Sequence, residues 1–208
     1  MPLVRSADRA ATEPAPPSVP VSSLSELLEA LHAPESGLRR AAAHDLGDHP
    51  EAIPTLCARL GDEPALSVRC VILTALIRLQ SPAVVSGLLP YLRSEDAGLR
   101  NAVIEALQDM PGAVAPFMED LLHDADSDVR ILAVQIVSAL AHAQAPEWLA
   151  RVIASDQHVN VCAAAVDCLA EVGDPAAIPS LLALPGRFPE EPFIAFAVAV
   201  AIRRIDGR

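Results

Sequence analysis

Residues 124–140 read DADSDVRILAVQIVSAL, an acidic break followed by an apolar stripe. The acidic residues favour a helix N-terminus, because that end of a helix carries partial positive charge. The apolar residues that follow have the spacing of one helical face and are Val129, Leu132, Ala133, Ile136, Val137 and Leu140. A second stripe at helical spacing precedes them between residues 111 and 122. Together the two segments predict a pair of helices joined by a polar turn.

This helical pair recurs along the chain with a nearly constant period. Its marker is an apolar residue followed by Arg, spaced by 30, 31 and 30 residues, at Leu38-Arg39, Val68-Arg69, Leu99-Arg100 and Val129-Arg130. Two further units follow at intervals of 32 residues, at Val161-Cys162 and Phe193-Ile194. A proline opens each next unit, as expected for the first turn of a helix, at Pro50, Pro82, Pro111, Pro146 and Pro175. A repeat of this length predicts an array in which each unit buries its apolar face against its neighbours.

The predicted fold is all-α, a right-handed α-solenoid of about six helical hairpins, in which armadillo-like pairs stack in order. The solenoid domain is predicted to span residues 23–208 and to begin at Ser23, which has capping-box spacing to Glu26. Residues 1–22 contain four closely spaced prolines and are predicted to form a disordered tail.

Composition excludes several classes of function. The net charge is −12, and the fifteen basic residues are all Arg, so the chain is a poor ligand for nucleic acid. The longest apolar run, residues 193–202, is half of the ~20 residues that a membrane helix needs. No signal peptide is readable, so we expect a cytoplasmic protein. The six His and four Cys show no metal-ligand spacing, and we expect neither a metal nor a cofactor.

The repeat resembles a known family. The segment Asp128-Val129-Arg130 followed by Ala133, and the run EVGDPAAIP at residues 171–179, are similar to bacterial HEAT-like repeats of the short type also found in phycobilisome lyases. Residues 160–173 are also similar to HEAT proteins encoded beside bacterial chemotaxis genes. The resemblance implies that the second helices line a concave face. It also implies a structural ladder in which Arg residues pair with acidic turns, formed here by Arg39, Arg69, Arg100 and Arg130.

Two alternatives to structural roles stay open at this point. The Arg column has the chemistry of an anion-binding site as well as that of a ladder. Cys162 replaces Arg in that column at a helix N-terminus, where a thiolate is favoured, so it is a candidate reactive residue. Cys57 and Cys70 are predicted to lie in the core. Trp148 is predicted to pack against a neighbouring unit.

The functional prediction is a non-catalytic scaffold that binds a partner protein on its concave face, in chemotaxis-type signalling. The chain is then no enzyme, and we expect a monomer whose protein partner has a basic surface. The predicted partner-binding residues are polar positions of the second helices, namely Arg40, His44, Thr74, Asn101, Glu105, Gln108, Gln135, Ser138, Asp167 and Glu171. The alternative is a tetrapyrrole-binding protein of the bilin lyase or chaperone type, which the repeat type supports and the shortage of aromatic residues does not.

Deletion of residues 1–22 tests the predicted domain boundary. These residues bury too little apolar surface to offset their ordering entropy, so the shortened chain should melt at almost the same temperature as the full chain. Thermal unfolding followed by circular dichroism measures this difference. A loss of more than a few degrees would show that the tail packs on the array.

Overall fold

The computed structural model describes residues 23–140, 142–172 and 175–207; the predicted tail lies outside them. The α-helices of the described residues are α1 (Leu24–Ala30), α2 (Ser36–Asp45), α3 (Ile53–Asp62), α4 (Leu66–Leu79), α5 (Pro82–Leu88), α6 (Ala97–Gln108), α7 (Pro111–Val114), α8 (Met118–Leu122), α9 (Ser127–Ala139), α10 (Ala145–Ser155), α11 (Val159–Val172), α12 (Ile178–Arg187) and α13 (Pro192–Asp206). Short 3-10 segments span Leu46–Asp48, Pro50–Ala52, Leu89–Arg93, Ala115–Phe117 and Pro175–Ala177.

These helices form six consecutive hairpins in two layers. The second helices, α2, α4, α6, α9, α11 and α13, pack on one another in chain order. The first helices form the other layer, in which α3 packs on α5 and α10 packs on both α8 and α12. The predicted all-α solenoid of six hairpins is therefore confirmed. No helix in the described part of the chain is long and apolar enough to cross a bilayer.

Helix starts follow from local chemistry. At Ser23 both halves of the capping box are formed, with the Ser23 backbone N–H donating to Glu26 Oε2 at 2.7 Å and the Glu26 N–H donating to Ser23 Oγ at 3.3 Å. Pro82 and Pro111 are the first residues of α5 and α7, where the missing N–H costs nothing. The geometry at Ser23 is that of a capped helix N-terminus, and the domain boundary placed there stays a prediction.

One predicted helix is interrupted. Residues 111–122 have the apolar spacing of a single helix, but the chain forms α7, a 3-10 segment at Ala115–Phe117, and then α8. Pro116 lies within the 3-10 segment and explains the break, because its ring lacks an N–H and crowds the preceding turn. The apolar face still reaches the core, since Val114, Met118 and Leu122 are buried.

The core is a continuous seam of small and branched side chains between the two layers. Val129, Ala133 and Ile136, from the stripe at residues 124–140, are each at most 1% exposed. Cys57 is buried as predicted, but Cys70 is exposed and its assignment to the core is wrong. Helix α4 is apolar on nearly all sides, so the period of its sequence does not reveal which side faces solvent.

A buried ion-pair network joins the first two hairpins. The guanidinium of Arg39 donates to both carboxylate oxygens of Glu63, at 2.8 and 2.7 Å, and Glu63 is 0% exposed. Arg59 donates to the same carboxylate at 2.7 Å, and the Ala65 N–H donates to it at 2.8 Å. The bonds from Arg39 are the main reason that the pKa of Glu63 falls from 4.5 to about 2, against the opposing effect of burial. Glu63 is therefore charged and fully partnered in the folded chain.

The low pKa of Glu63 makes the stability of the array depend on pH. Its folded value of about 2 lies below its ordinary 4.5, so the stabilisation is complete above pH 4.5 and is lost as the pH falls toward 2. This loss should amount to ~3 kcal/mol of unfolding free energy. The variant Glu63→Gln should be less stable at neutral pH, by ~3–5 kcal/mol, because Arg39 loses its buried partner.

Urea unfolding of both proteins over this pH range checks the assignment. The gap between wild type and Glu63→Gln should narrow as the pH falls. Parallel pH profiles for the two proteins would show that Glu63 does not carry the acid sensitivity.

Candidate functional site

The turn edge of the array, where each first helix passes into its second helix, carries a repeated hydrogen bond. A side chain near the start of the second helix donates to the backbone carbonyl six residues earlier. The donor and acceptor pairs are Arg39 Nη1 to Ala33 at 2.9 Å, Arg69 Nε to Glu63 at 2.6 Å, Arg100 Nη1 to Ser94 at 2.7 Å, Arg130 Nη1 to Asp124 at 2.8 Å and Cys162 Sγ to Asp156 at 3.4 Å. Each bond satisfies a carbonyl left open near the end of the first helix.

The same column also links neighbouring repeats. Besides the pairing of Arg39 with Glu63, Arg69 forms an ion pair with Asp96 at 2.6 Å. Arg130 donates to both oxygens of Asp156, at 2.7 and 3.1 Å. The bond from Arg69 is the largest cause of the lowered pKa of Asp96, and the bond to Asp156 raises the pKa of Arg130. Three predicted ladder residues thus tie one turn to the next.

Arg100 departs from this pattern. Among the described residues its guanidinium has no carboxylate within ion-pair distance, and its one hydrogen bond goes to the Ser94 carbonyl. Asp126 lies one repeat further on, but its Oδ1 accepts the Asp128 N–H at the start of α9. The guanidinium of Arg100 therefore has N–H groups that donate to no described side chain.

Arg100 lies in a cleft between the third and fourth repeats, which we call the Arg100 cleft. Its lining residues are Leu92, Arg93, Ser94, Glu95, Arg100, Asp126, Asp128, Val129, Ile131 and Leu132, and its volume is about 480 Å³. An apolar floor of branched side chains meets cations and carboxylates at the rim. A cleft of this size and lining suits a ligand that has both apolar and anionic parts.

A second cleft adjoins the first and is named here the Trp148 cleft. Its volume is about 310 Å³, and its lining residues are Glu119, Leu122, His123, Asp124, Arg130, Trp148, Arg151, Val152, Ser155, Asp156 and Gln157. The ion pair of Arg93 with Asp124, at 2.5 Å, lies between the two clefts. The backbone N–H of Asp126 and then Arg93 hold the pKa of Asp124 below its usual range.

Trp148 supplies the aromatic side of its cleft. The residue is 4% exposed, and its ring stacks on His142 with centroids 4.9 Å apart and an interplanar angle of 11°. The predicted packing of Trp148 inside the array agrees with this burial. Arg151 is about half exposed and pairs with Glu119 at 2.5 Å, so a cation also stands at the mouth of the cleft.

Cys162 occupies the column position of the fifth repeat without the charge of an Arg. It is 0% exposed, and burial raises the pKa of its thiol, which disfavours the reactive thiolate. Arg187, from the end of α12, donates to the carbonyl oxygens of Ile153 and Asp156. A guanidinium from the next repeat thus satisfies the turn that Cys162 leaves incomplete.

The predicted partner-binding column lies on the second helices as expected, and nine of its ten residues are exposed. Gln108 is half-buried and donates through Nε2 to the Gln135 carbonyl at 2.9 Å. Ser138 donates to the same carbonyl at 2.8 Å, Thr74 to the Cys70 carbonyl at 2.9 Å, and Glu171 pairs with Arg204 at 2.7 Å. The assignment of the column to a protein partner stays a prediction.

Sequence reasoning missed the two clefts. Their lining comes from two repeats at a time, and residues such as Leu92 and Ile131 are 39 positions apart in the chain. A signal was available at Arg100, because the marker Leu99-Arg100 is followed one repeat later by three acids, Asp124, Asp126 and Asp128. Whether any of these acids reaches Arg100 depends on the angle between repeats, and the sequence does not specify that angle.

Comparison with known proteins places the repeats in a family and finds two relatives among bilin biosynthesis proteins. The family described as HEAT repeats matches residues 24–108 and 114–191. The bilin biosynthesis protein PecE of Mastigocladus laminosus is 30% identical over 151 residues, covering 70% of this chain and 55% of that protein. PecE of Nostoc sp. is 30% identical over 127 residues, covering 60% and 49%. The chain spans about half the length of the curated relatives it matches.

A solved structure that the chain resembles is the complex of CpcE and CpcF of phycocyanin lyase from Nostoc sp. It is 20% identical, has a TM-score of 0.38, and the match covers 98% of this chain and 99% of that one.

These relatives correct the functional prediction. The prediction of a non-catalytic signalling scaffold, and with it the prediction that the chain is not an enzyme, is wrong, because the matched proteins are bilin biosynthesis proteins. The error came from weighing the shortage of aromatic residues against a tetrapyrrole site. Cations and branched aliphatic side chains from adjacent repeats form clefts that a count of aromatics does not reveal.

Replacement of single column residues separates their structural contributions. Arg130→Ala should lower the unfolding free energy by ~1–3 kcal/mol, because it removes the guanidinium partner of the buried Asp156 carboxylate and leaves the Asp124 carbonyl without its donor. Arg100→Ala should cost clearly less, since it removes no ion pair. Urea unfolding of the two variants measures both losses. Equal losses would mean that Arg100 has a structural partner in solution.

Proposed function

The chain belongs to the family of HEAT repeats. We propose that it binds a bilin and acts in bilin biosynthesis as a lyase-type protein. The observation that carries this proposal is the 30% identity to a bilin biosynthesis protein over 70% of the chain. The two clefts of the turn edge are the proposed binding site. The matched region covers 55% of the length of that relative.

The chemistry of a bilin matches the lining of the clefts. A bilin is a linear tetrapyrrole with an apolar conjugated chain, pyrrole N–H donors and two propionate carboxylates. Arg100 has free N–H donors for one propionate, and Arg151 stands half exposed at the mouth of the neighbouring cleft for the other. The volumes of about 480 and 310 Å³ lie in the range of ligand sites.

Carboxylates complete the proposed site. Asp126 and Asp128 line the Arg100 cleft, and both are exposed at its rim. An ionised carboxylate accepts hydrogen bonds from pyrrole N–H groups, so these residues are suited to orient the tetrapyrrole. Leu92, Ile131 and Leu132 would contact the conjugated chain and exclude water from one side of it. The site would thus bind the propionates and the pyrrole N–H groups of the pigment, and would shield one face of its conjugated chain from water.

A protein partner belongs to the same proposal, because a bilin biosynthesis protein must hand its pigment to the protein that uses it. The exposed column on the second helices is separate from the clefts and is available for that contact. The side chains of its acids Glu105 and Asp167 are exposed and make no hydrogen bond or ion pair with the side chains of other described residues, which suits a partner with a basic surface.

Titration with biliverdin tests the proposed function. The chain has a single tryptophan, Trp148, so quenching of its fluorescence reports binding, and induced circular dichroism of the pigment band reports an ordered site. Removing both proposed propionate contacts in Arg100→Gln/Arg151→Gln should weaken binding by at least about tenfold, since ~1.4 kcal/mol corresponds to a factor of ten.

Glu105→Arg/Asp167→Arg is the matched control, because it also changes two exposed charges but lies on the other surface. This variant should bind biliverdin like the wild type. Lack of pigment binding by the wild type would refute the function. Normal binding by Arg100→Gln/Arg151→Gln would refute the site while leaving the function in place.

A further inference from the structure

The hairpin α12–α13 ends the described array and presents an apolar groove to solvent. The groove has a volume of about 620 Å³, and its lining residues are Leu182, Pro185, Ala195, Val198, Ala199, Ile202 and Arg203. Leu182 is 64% exposed, which is unusual for a large aliphatic side chain beside other apolar surface.

Earlier repeats show what covers the equivalent surface. Ala170 in α11 lies one repeat of 32 residues before Ile202 and is 3% exposed, because the α12–α13 hairpin packs on the fifth repeat. Ile202 itself is partly exposed. The groove is therefore a repeat-stacking surface that has no further repeat upon it among the described residues.

We propose that this groove is the interface of a two-fold symmetric dimer of the chain, in which α13 of one protomer packs antiparallel to α13 of its partner. A two-fold interface buries the same surface of both copies, so one apolar groove covers the other. The opposite end of the array is a poorer occupant. There α2 exposes Leu38 at 54%, but its other exposed side chains include Arg40, His44 and Asp45.

The charges at the two ends of α13 support the antiparallel arrangement. Glu190 and Glu191 immediately precede the helix, and Arg203 lies in its last turn. The Arg203 Nε donates to the Ala199 carbonyl at 3.2 Å, and no described carboxylate pairs with its guanidinium. With the two-fold axis near Ala199, the partner's Arg203 lies opposite Ala195. Glu191 is then about 6 Å further along, at a rise of ~1.5 Å per residue, which is within reach of an Arg side chain.

The dimer extends the proposed function without depending on it, since the groove lies on different repeats from the two clefts. The proposal differs from the expectation of a monomer, because the sequence alone does not show which apolar residues the last hairpin leaves uncovered.

Sedimentation velocity of the full chain over a range of concentrations tests the proposal. The wild type should sediment as a dimer that dissociates on dilution. Leu182→Glu and Ala199→Glu should each be monomeric at concentrations where the wild type is dimeric, because each places a charge in the buried groove. Leu38→Glu, at the other end of the array, is the matched control and should stay dimeric.

Charge exchange tests the antiparallel register. Glu191→Arg and Arg203→Glu should each weaken the dimer by about tenfold, and Glu191→Arg/Arg203→Glu should restore it, because the pair is then re-formed with reversed charges. Helicity and melting temperature of every variant show whether it folds. A wild type that is monomeric at all concentrations, dissociation by Leu38→Glu, or no rescue in the double variant would overturn the proposal.

Discussion

The hydrogen bond from a side chain near the start of a second helix to the carbonyl six residues earlier, formed in five of the six described repeats, is the constraint on which the array depends. The carbonyl groups at the end of a helix have no partner in that helix, and a turn that is packed between repeats cannot leave all of them to water. Arg suits this position because its planar guanidinium can satisfy a carbonyl and a carboxylate together. In Arg130 one nitrogen bonds the turn of its own repeat, and two others bond Asp156 of the next. Closure of the turn and stacking of the repeats are thus achieved by one side chain.

Departures from this rule coincide with the features that set the chain apart from a uniform scaffold. At Arg100 the inter-repeat carboxylate is missing, and an open cleft takes its place. At Cys162 the guanidinium is missing, and Arg187 supplies it from the following repeat. In the sixth repeat the position is Ile194, which is fully buried. Where the column departs from its pattern, Arg187 compensates for Cys162, whereas the N–H groups that Arg100 leaves unused are available for a ligand.

Three surfaces result from this architecture, and they are physically distinct. The turn edge combines guanidinium groups with aliphatic walls and suits an anionic ligand with an apolar body. The exposed column on the second helices is polar and increasingly acidic, and it offers contacts that salt would screen. The end of the array is apolar and suits a second apolar surface. A repeat protein can carry such different surfaces together because each of them lies on a different part of the array.

The sequence by itself determined the repeats. Arg and Pro markers near a period of 30 residues, with apolar stripes of helical spacing, predict six hairpins, because the period of hydrophobic residues fixes which face of each helix is buried. The prediction from sequence was wrong for the burial of Cys70, where the apolar stripe is broad, and for a single helix over residues 111–122, where Pro116 interrupts a regular pattern. Tertiary structure alone decided the sites. The distance from Arg100 to the acids of the next turn, the shape of the clefts and the exposure of Leu182 depend on the angle between successive repeats. That angle is set by many packed side chains acting together, so no local pattern in the sequence encodes it.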